Sequence, residues 1–150
     1  MSPAPRSPAE RRRDTEHRLA QDIDLWVASA SAEGVPHLVP LSFEWDGETL
    51  LLATPAASPT GRNLATGRTA RLGLGTTRDV TMIEGEVEVL ALDDLPKDRT
   101  DRFHTRTGFD PGALTTEYRW FRVTPRSIHS WRESNELPGR TLMREGNWVV

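Results

Sequence analysis

The chain has no cysteine, which removes disulfides, thiolate nucleophiles and thiolate metal sites together. That usage suits the cytoplasm, where the protein is expected to work. No apolar run approaches the roughly 18 residues needed to span a bilayer, and the proline-punctuated polar start is no secretory signal, so no membrane partner is expected. A net charge of −3 offers no broad attraction to nucleic acid. Basic residues are almost all arginine, Lys97 being the one lysine. Neither a Walker pattern nor Gly-x-Gly-x-x-Gly occurs, and Arg71-Leu-Gly-Leu-Gly75 is too short for a dinucleotide loop. His37 has no metal partner at ligand spacing. With no paired acid and base and no activated nucleophile, no catalytic residue and no metal site are assigned.

What is present points to one β-rich domain. At 150 residues and 36% hydrophobic content the chain is long enough for a real core. Residues 1–6 read as disordered and residues 7–150 as a single domain. Ser7-Pro-Ala-Glu10 matches a capping box with proline in the first turn, so a helix is expected to about Ala20, with Arg11, Arg12 and Arg13 on a solvated face. Ile23, Leu25 and Val27 alternate as a first strand. Glu33-Gly34 turns the chain into a second, with Val39, Leu41, Phe43 and Trp45 on one face and Leu38, Pro40, Ser42 and Glu44 on the other. Pro40 within a strand marks an edge or a place where a ligand meets main chain.

Asp46-Gly47 favours a hairpin turn into Thr49–Thr54, a short apolar strand expected to be covered on both faces. Ser58 then caps a helix with Pro59 in its first turn and Gly67 at its end. The strand thus delivers the chain to a helix N-terminus, where free N–H groups and the dipole favour an anion. Arg62 lies one turn on and leans back toward that end, so Ser58, Thr60 and Arg62 are placed to converge on one phosphate. The competing reading is an ordinary helix start with a solvated arginine.

Further on, Ala70, Leu72 and Leu74 alternate in a fourth strand, and Ile83, Gly85, Val87 and Val89 in a fifth whose glutamates face out. Gly85 signals a bulge or a close backbone approach. Asp93 or Asp94 is expected to cap a surface helix through Arg106 that Gly108 ends. A last strand spans Glu117–Val123, is interrupted at Thr124-Pro125 and resumes over Ser127–Trp131. The tail from Glu133 has no period and docks either on its own core or on a twin subunit. About six hairpin-linked strands with helices at the margins make an antiparallel barrel.

The order of W-D-G, L-L-L-A-T-P, S-P-T-G-R-N-L, R-D-V-T-M-I-E-G-E-V-E-V and W-F-R-V-T-P-R-S-I-H-S-W-R resembles the flavin-binding split-barrel family. That family includes pyridoxamine 5′-phosphate oxidase and the deazaflavin-dependent reductases. The resemblance spans about Thr15 to Val150 and implies a six-stranded split barrel. It also implies that Pro40, Leu41, Ser42, Ala53 and Thr54 lie along a flavin ring and that Ser58, Arg62 and Asn63 hold its phosphate. The cofactor would lie between two subunits, with Arg78, Trp131 or Arg140 arriving from the partner. No lysine accompanies Arg62, and the oxidase's C-terminal Arg/His signature is missing, so vitamin B6 oxidation is not expected. The resemblance is nearer the small reductases. It implies a homodimeric oxidoreductase that binds FMN, or alternatively the deazaflavin coenzyme F420, and passes hydride to a small organic acceptor. The rival reading is a split barrel that holds a cofactor or haem without turnover.

Overall fold

The computed structural model describes residues 3–150. Of the segment expected to be disordered, residues 1 and 2 lie outside the described residues. Helix α1 (Pro8–Gln21) starts where its capping box predicts, Ser7 Oγ accepting the Glu10 N–H at 3.1 Å. Strands β1 (Asp24–Ala30), β2 (Pro36–Trp45) and β3 (Leu50–Pro55) follow, then α2 (Pro59–Gly67), β4 (Thr69–Thr76) and β5 (Asp79–Leu90). Helix α3 (Lys97–Thr107), the long β6 (Tyr118–Trp131) and the short β7 (Thr141–Arg144) and β8 (Asn147–Trp148) complete the chain.

All pairings are antiparallel, in the order β3-β2-β1-β4-β5-β6-β7-β8. Because β3 also pairs with β6, the first six strands close into a barrel. This is the six-stranded barrel with peripheral helices that the sequence led us to expect. Alternation fills its interior with Leu25, Val27, Phe43, Leu50, Leu52, Leu72, Leu74, Ile83 and Val123. Helix α2 adds Leu64 to that core. On the outside of β3, Leu51 and Ala53 meet Phe103 of α3 and Trp120 of β6, so β3 is covered on both faces. Phe103 and Trp120 pack edge to face at 4.9 Å between centroids.

Several local expectations are corrected. Strand β6 runs unbroken through Thr124-Pro125, because Pro125, which has no N–H, lies opposite Gly85 where β5 shifts register. A side chain at Gly85 would meet Val123 Cγ1 at 2.5 Å, so the glycine permits the close crossing. Asp93 and Asp94 do not cap α3. They form a single 3₁₀ turn in which Asp94 accepts the Ala91 N–H, and the helix begins only after Pro96. Gly108 ends α3 as expected, with φ 72°. Helix α2 closes one residue late, on Arg68 in the left-handed region, its N–H returning to Leu64 O.

Two charged residues expected on the surface are structural. Arg11 is buried and donates to the carbonyls of Glu136 and Pro138 at 2.8 and 3.2 Å. Arg6, within the segment read as disordered, is half-buried, pairs with Glu136 and also reaches Asp14. These contacts pin the tail to α1, while Leu142 and Met143 enter the barrel core. The tail therefore docks on its own chain. No helix among the described residues is long and apolar enough to cross a membrane.

Candidate functional site

Five of the residues singled out above line one surface depression of about 270 Å³. Strand β2 supplies Pro40, Leu41 and Ser42, and β3 supplies Ala53 and Thr54. The outward positions of Pro40, Ser42 and Ala53 follow from the pairing of Phe43 with Leu52, which turns both of those side chains inward and the alternate positions outward, while Leu41 packs toward the barrel core. Ser42 is fixed by donating to Asp24 Oδ1 on β1 at 2.6 Å. The far wall is aromatic: Phe103, Phe109 and Tyr118, with Phe109 and Tyr118 in tilted contact at 5.5 Å. Sequence reasoning missed this wall. Tyr118 reaches it only because barrel closure sets it opposite Pro55, a pairing of distant segments with no local signal.

From Thr54 the chain passes directly into the turn that starts α2. The hydroxyls of Thr54 and Ser58 are 3.4 Å apart. Ser58 caps the helix as expected, accepting the Gly61 N–H at 3.0 Å, and its own hydroxyl donates to Pro55 O at 2.8 Å. Arg62 folds back toward that end and donates to Ala57 O at 2.5 Å. Asn63 points the other way, its amide donating to Ser29 Oγ of β1 at 3.1 Å.

The helix end offers an anion less than its sequence promises. Pro59 has no N–H, Gly61 N–H serves Ser58 Oγ, and Arg62 N–H serves Ser58 O. Thr60, expected to join the cluster, is 2% exposed and faces the interior. Arg62 is the exposed cation at this end, and its present partner is a neutral carbonyl. Gly61 is essential to this arrangement, because a Cβ there would overlap the Pro55 carbonyl oxygen.

Two candidates lie elsewhere. Arg78 is exposed on the β4–β5 turn and pairs with Glu133 at 3.2 Å. Trp131 lines a larger groove of about 680 Å³ on the outer face of β1, β4, β5 and β6. That face carries exposed apolar side chains, Trp26 at 51%, Leu38 at 60% and Met82 at 48%, an apolar surface of the kind that marks an interaction site. Arg140 bonds back to Leu137 O at 3.1 Å.

Comparison with known proteins agrees with this architecture. The family model described as pyridoxamine 5′-phosphate oxidase matches residues 16–132. The chain belongs to that family. Among solved structures, this family member resembles an F420 reductase at 18% identity and TM-score 0.63, over 75% of this chain and 94% of that one. It also resembles a putative pyridoxamine 5′-phosphate oxidase from Listeria innocua at 15% identity and TM-score 0.63, over 82% and 97% of the two chains. A third is a pyridoxamine 5′-phosphate oxidase-related, FMN-binding protein from Nostoc punctiforme, at 14% identity and TM-score 0.51, over 82% and 78%. At such identities the likeness is one of fold. The comparison with curated proteins gives no match.

Proposed function

We propose that this protein is a cytoplasmic, homodimeric oxidoreductase that binds FMN or the deazaflavin coenzyme F420 and passes hydride to a small organic acceptor. The observation that carries the reading is contiguity: Pro40, Leu41, Ser42, Ala53 and Thr54 line one depression, and the chain leaves it directly into the turn bearing Ser58 and Arg62. The donor set fits a phosphorylated ring compound. Pro40 and Ala53 offer flat, small surfaces for a ring, the Ser42 hydroxyl a polar edge, and Arg62 an exposed cation.

When bound, such a cofactor supplies the hydride chemistry. The chain's own residues do the rest. Arg62 exchanges the Ala57 carbonyl for phosphate, a charge-assisted contact of about 1.5–3 kcal/mol. The aromatic wall of Phe103, Phe109 and Tyr118 excludes water from one side. The exposed face of Trp26, Leu38 and Met82 is the part of this reading that a second copy covers. Asn63 contributes by holding α2 against Ser29 of β1, and Arg78 and Trp131 reach the cofactor from the partner.

The rival is a non-catalytic cofactor or haem carrier, and one observation favours its lack of turnover: among the described residues no carboxylate, histidine or lysine lines the depression. Absorption spectra after loading with FMN, F420 or haem and removal of excess ligand decide what binds. Reduction of an acceptor by the loaded protein then separates enzyme from carrier, and haem uptake without flavin uptake would overturn the proposal.

A further inference from the structure

Where β2 ends, two carboxylates share one cation. Glu44 and Asp46 both lie against Arg99 of α3, whose side chain is 7% exposed against 9% for Glu44. Arg99 commits its donors there: Nε stands 2.6 Å from Glu44 Oε1, Nη1 bonds Asp46, and Nη2 reaches the Glu44 carbonyl at 3.4 Å. One negative charge is left over. Asp46 is satisfied within its own turn, accepting the N–H groups of Glu48 and Thr49 at 2.8 and 2.6 Å. Glu44 is not. Its Oε1 is sealed from solvent without a well-aligned hydrogen bond, and its Oε2 has neither donor nor cation beside it among the described residues. A carboxylate this buried is costly to leave half-satisfied.

Beside it lies a cleft of about 620 Å³, a volume typical of small-molecule sites. Glu44 lines that cleft, and because Oε1 is sealed, Oε2 is the oxygen that opens there. Helix α1 ends at the same place, with Ala20 and Gln21. The last carbonyls of a helix have no partner within it and carry the negative end of its dipole, which favours a cation. One cation already answers in part: Arg106 of α3 donates to Asp22 O, just past that end, at 2.9 Å. Ile23, 44% exposed, and Trp45 give the cleft an apolar side. The α3 wall carries both signs, but none of its cations reaches Glu44. Asp101 holds Lys97 at 2.7 Å, Arg102 leans to Asp98 at 3.8 Å, and Arg106 is drawn to the Asp22 carbonyl.

The cleft shares no lining residue with the β2–β3 depression or with the groove beside Trp26, Leu38 and Met82. It is therefore neither the seat given to the cofactor nor the face given to a second copy. Helix α3 separates it from the depression, turning Phe103 to one and Arg102 and Arg106 to the other. A metal ion does not fit, because no group of three metal-ligating side chains gathers among the described residues.

We propose that this cleft binds a small primary amine on an apolar stem, its ammonium on Glu44 Oε2 and the carbonyls that end α1, its stem against Ile23 and Trp45. An ammonium carries three diverging donors, which suits one open carboxylate oxygen with separate carbonyls beside it better than a planar guanidinium does. The site stands apart from the oxidoreductase reading, and its binding is measured without a cofactor.

The test titrates phenethylamine, 2-phenylethanol and 3-phenylpropionate into the full chain by calorimetry at neutral pH. The amine is expected to bind at least about tenfold tighter than the alcohol, a difference of about 1.4 kcal/mol, and the acid more weakly than either. Glu44→Gln should remove that preference by weakening the amine alone. Because this change also breaks the pair with Arg99, a second variant keeps the test open if it does not fold. Thr105→Trp narrows the cleft from its exposed wall without touching the pair, and should weaken amine and alcohol alike at least about tenfold with Tm unchanged. The proposal is overturned by equal amine and alcohol affinities, by a tighter acid, by Thr105→Trp having no effect, or by FMN displacing the amine. Failure of FMN to bind, with the amine preference intact, would remove the oxidoreductase reading and leave this site standing.

Discussion

Replacing Glu136 with glutamine tests whether one carboxylate fastens both chain ends to the barrel. Its side chain is 3% exposed and that of Arg6 is 8%. The carboxylate accepts Arg6 Nη2 at 2.8 Å and Nε at 3.0 Å, and also the N–H groups of Arg6 and Arg132 at 2.8 and 2.9 Å. The Arg6 side chain contributes most, burial opposes it and the two amides add, so the pKa falls from the usual 4.5 to about 2. A tenfold change in proton affinity corresponds to about 1.4 kcal/mol, so this lowering sets a ceiling of roughly 3 kcal/mol on what the carboxylate contributes. Breaking a buried pair by removing one partner costs about 3–5 kcal/mol, but glutamine keeps an acceptor oxygen for Arg6. The expected loss is therefore about 2 kcal/mol at neutral pH, or roughly 4–8 °C in Tm for a chain of this length.

The sign follows from the depressed pKa. The contribution is complete above the unfolded value of 4.5 and disappears as pH falls toward about 2. Urea unfolding followed by tryptophan fluorescence, at neutral pH and again near the folded pKa, should show the parent losing more stability than Glu136→Gln, the two converging in acid. A variant as stable as the parent at neutral pH, or with an unchanged acid slope, would refute the reasoning.

Three further outcomes are expected. Gly61→Ala forces the first turn of α2 away from Pro55, so FMN affinity should fall more than global stability does; an unchanged affinity would dissociate that turn from the site. Arg99→Met leaves Glu44 buried without its 2.6 Å partner and frees Asp46, so stability should drop by about 3 kcal/mol in denaturant melts, with Glu44→Gln in the same background recovering part of it. Trp26→Glu puts a charge on the exposed apolar face and should turn a dimer into a monomer by light scattering, whereas a parent that is monomeric with cofactor bound removes the shared-groove model.

Local chemistry made much of this fold legible. Ser7 and Ser58 cap the helices they announce, and Leu72, Leu74, Ile83 and Val87 face inward as their alternation says. What escaped was long-range. Arg11 and Arg6 look like solvated charges until the tail folds over them, and Pro125 reads as a strand breaker until Gly85 is set opposite it. The β2–β3 half of the candidate site was visible in Pro40, Ser42 and Ala53. Its aromatic wall was not, because Tyr118 meets Pro55 only through the pairing that closes the barrel. The helix end was misjudged for a related reason: spacing puts Thr60 near Arg62, but packing buries it.

The most direct measurement compares FMN and riboflavin binding to the parent and to Arg62→Ala. If Arg62 releases the Ala57 carbonyl to take the phosphate, FMN affinity falls about 10- to 100-fold while riboflavin changes by less than about threefold. Equal losses for both ligands, or a parent that binds neither FMN nor F420, would contradict the account.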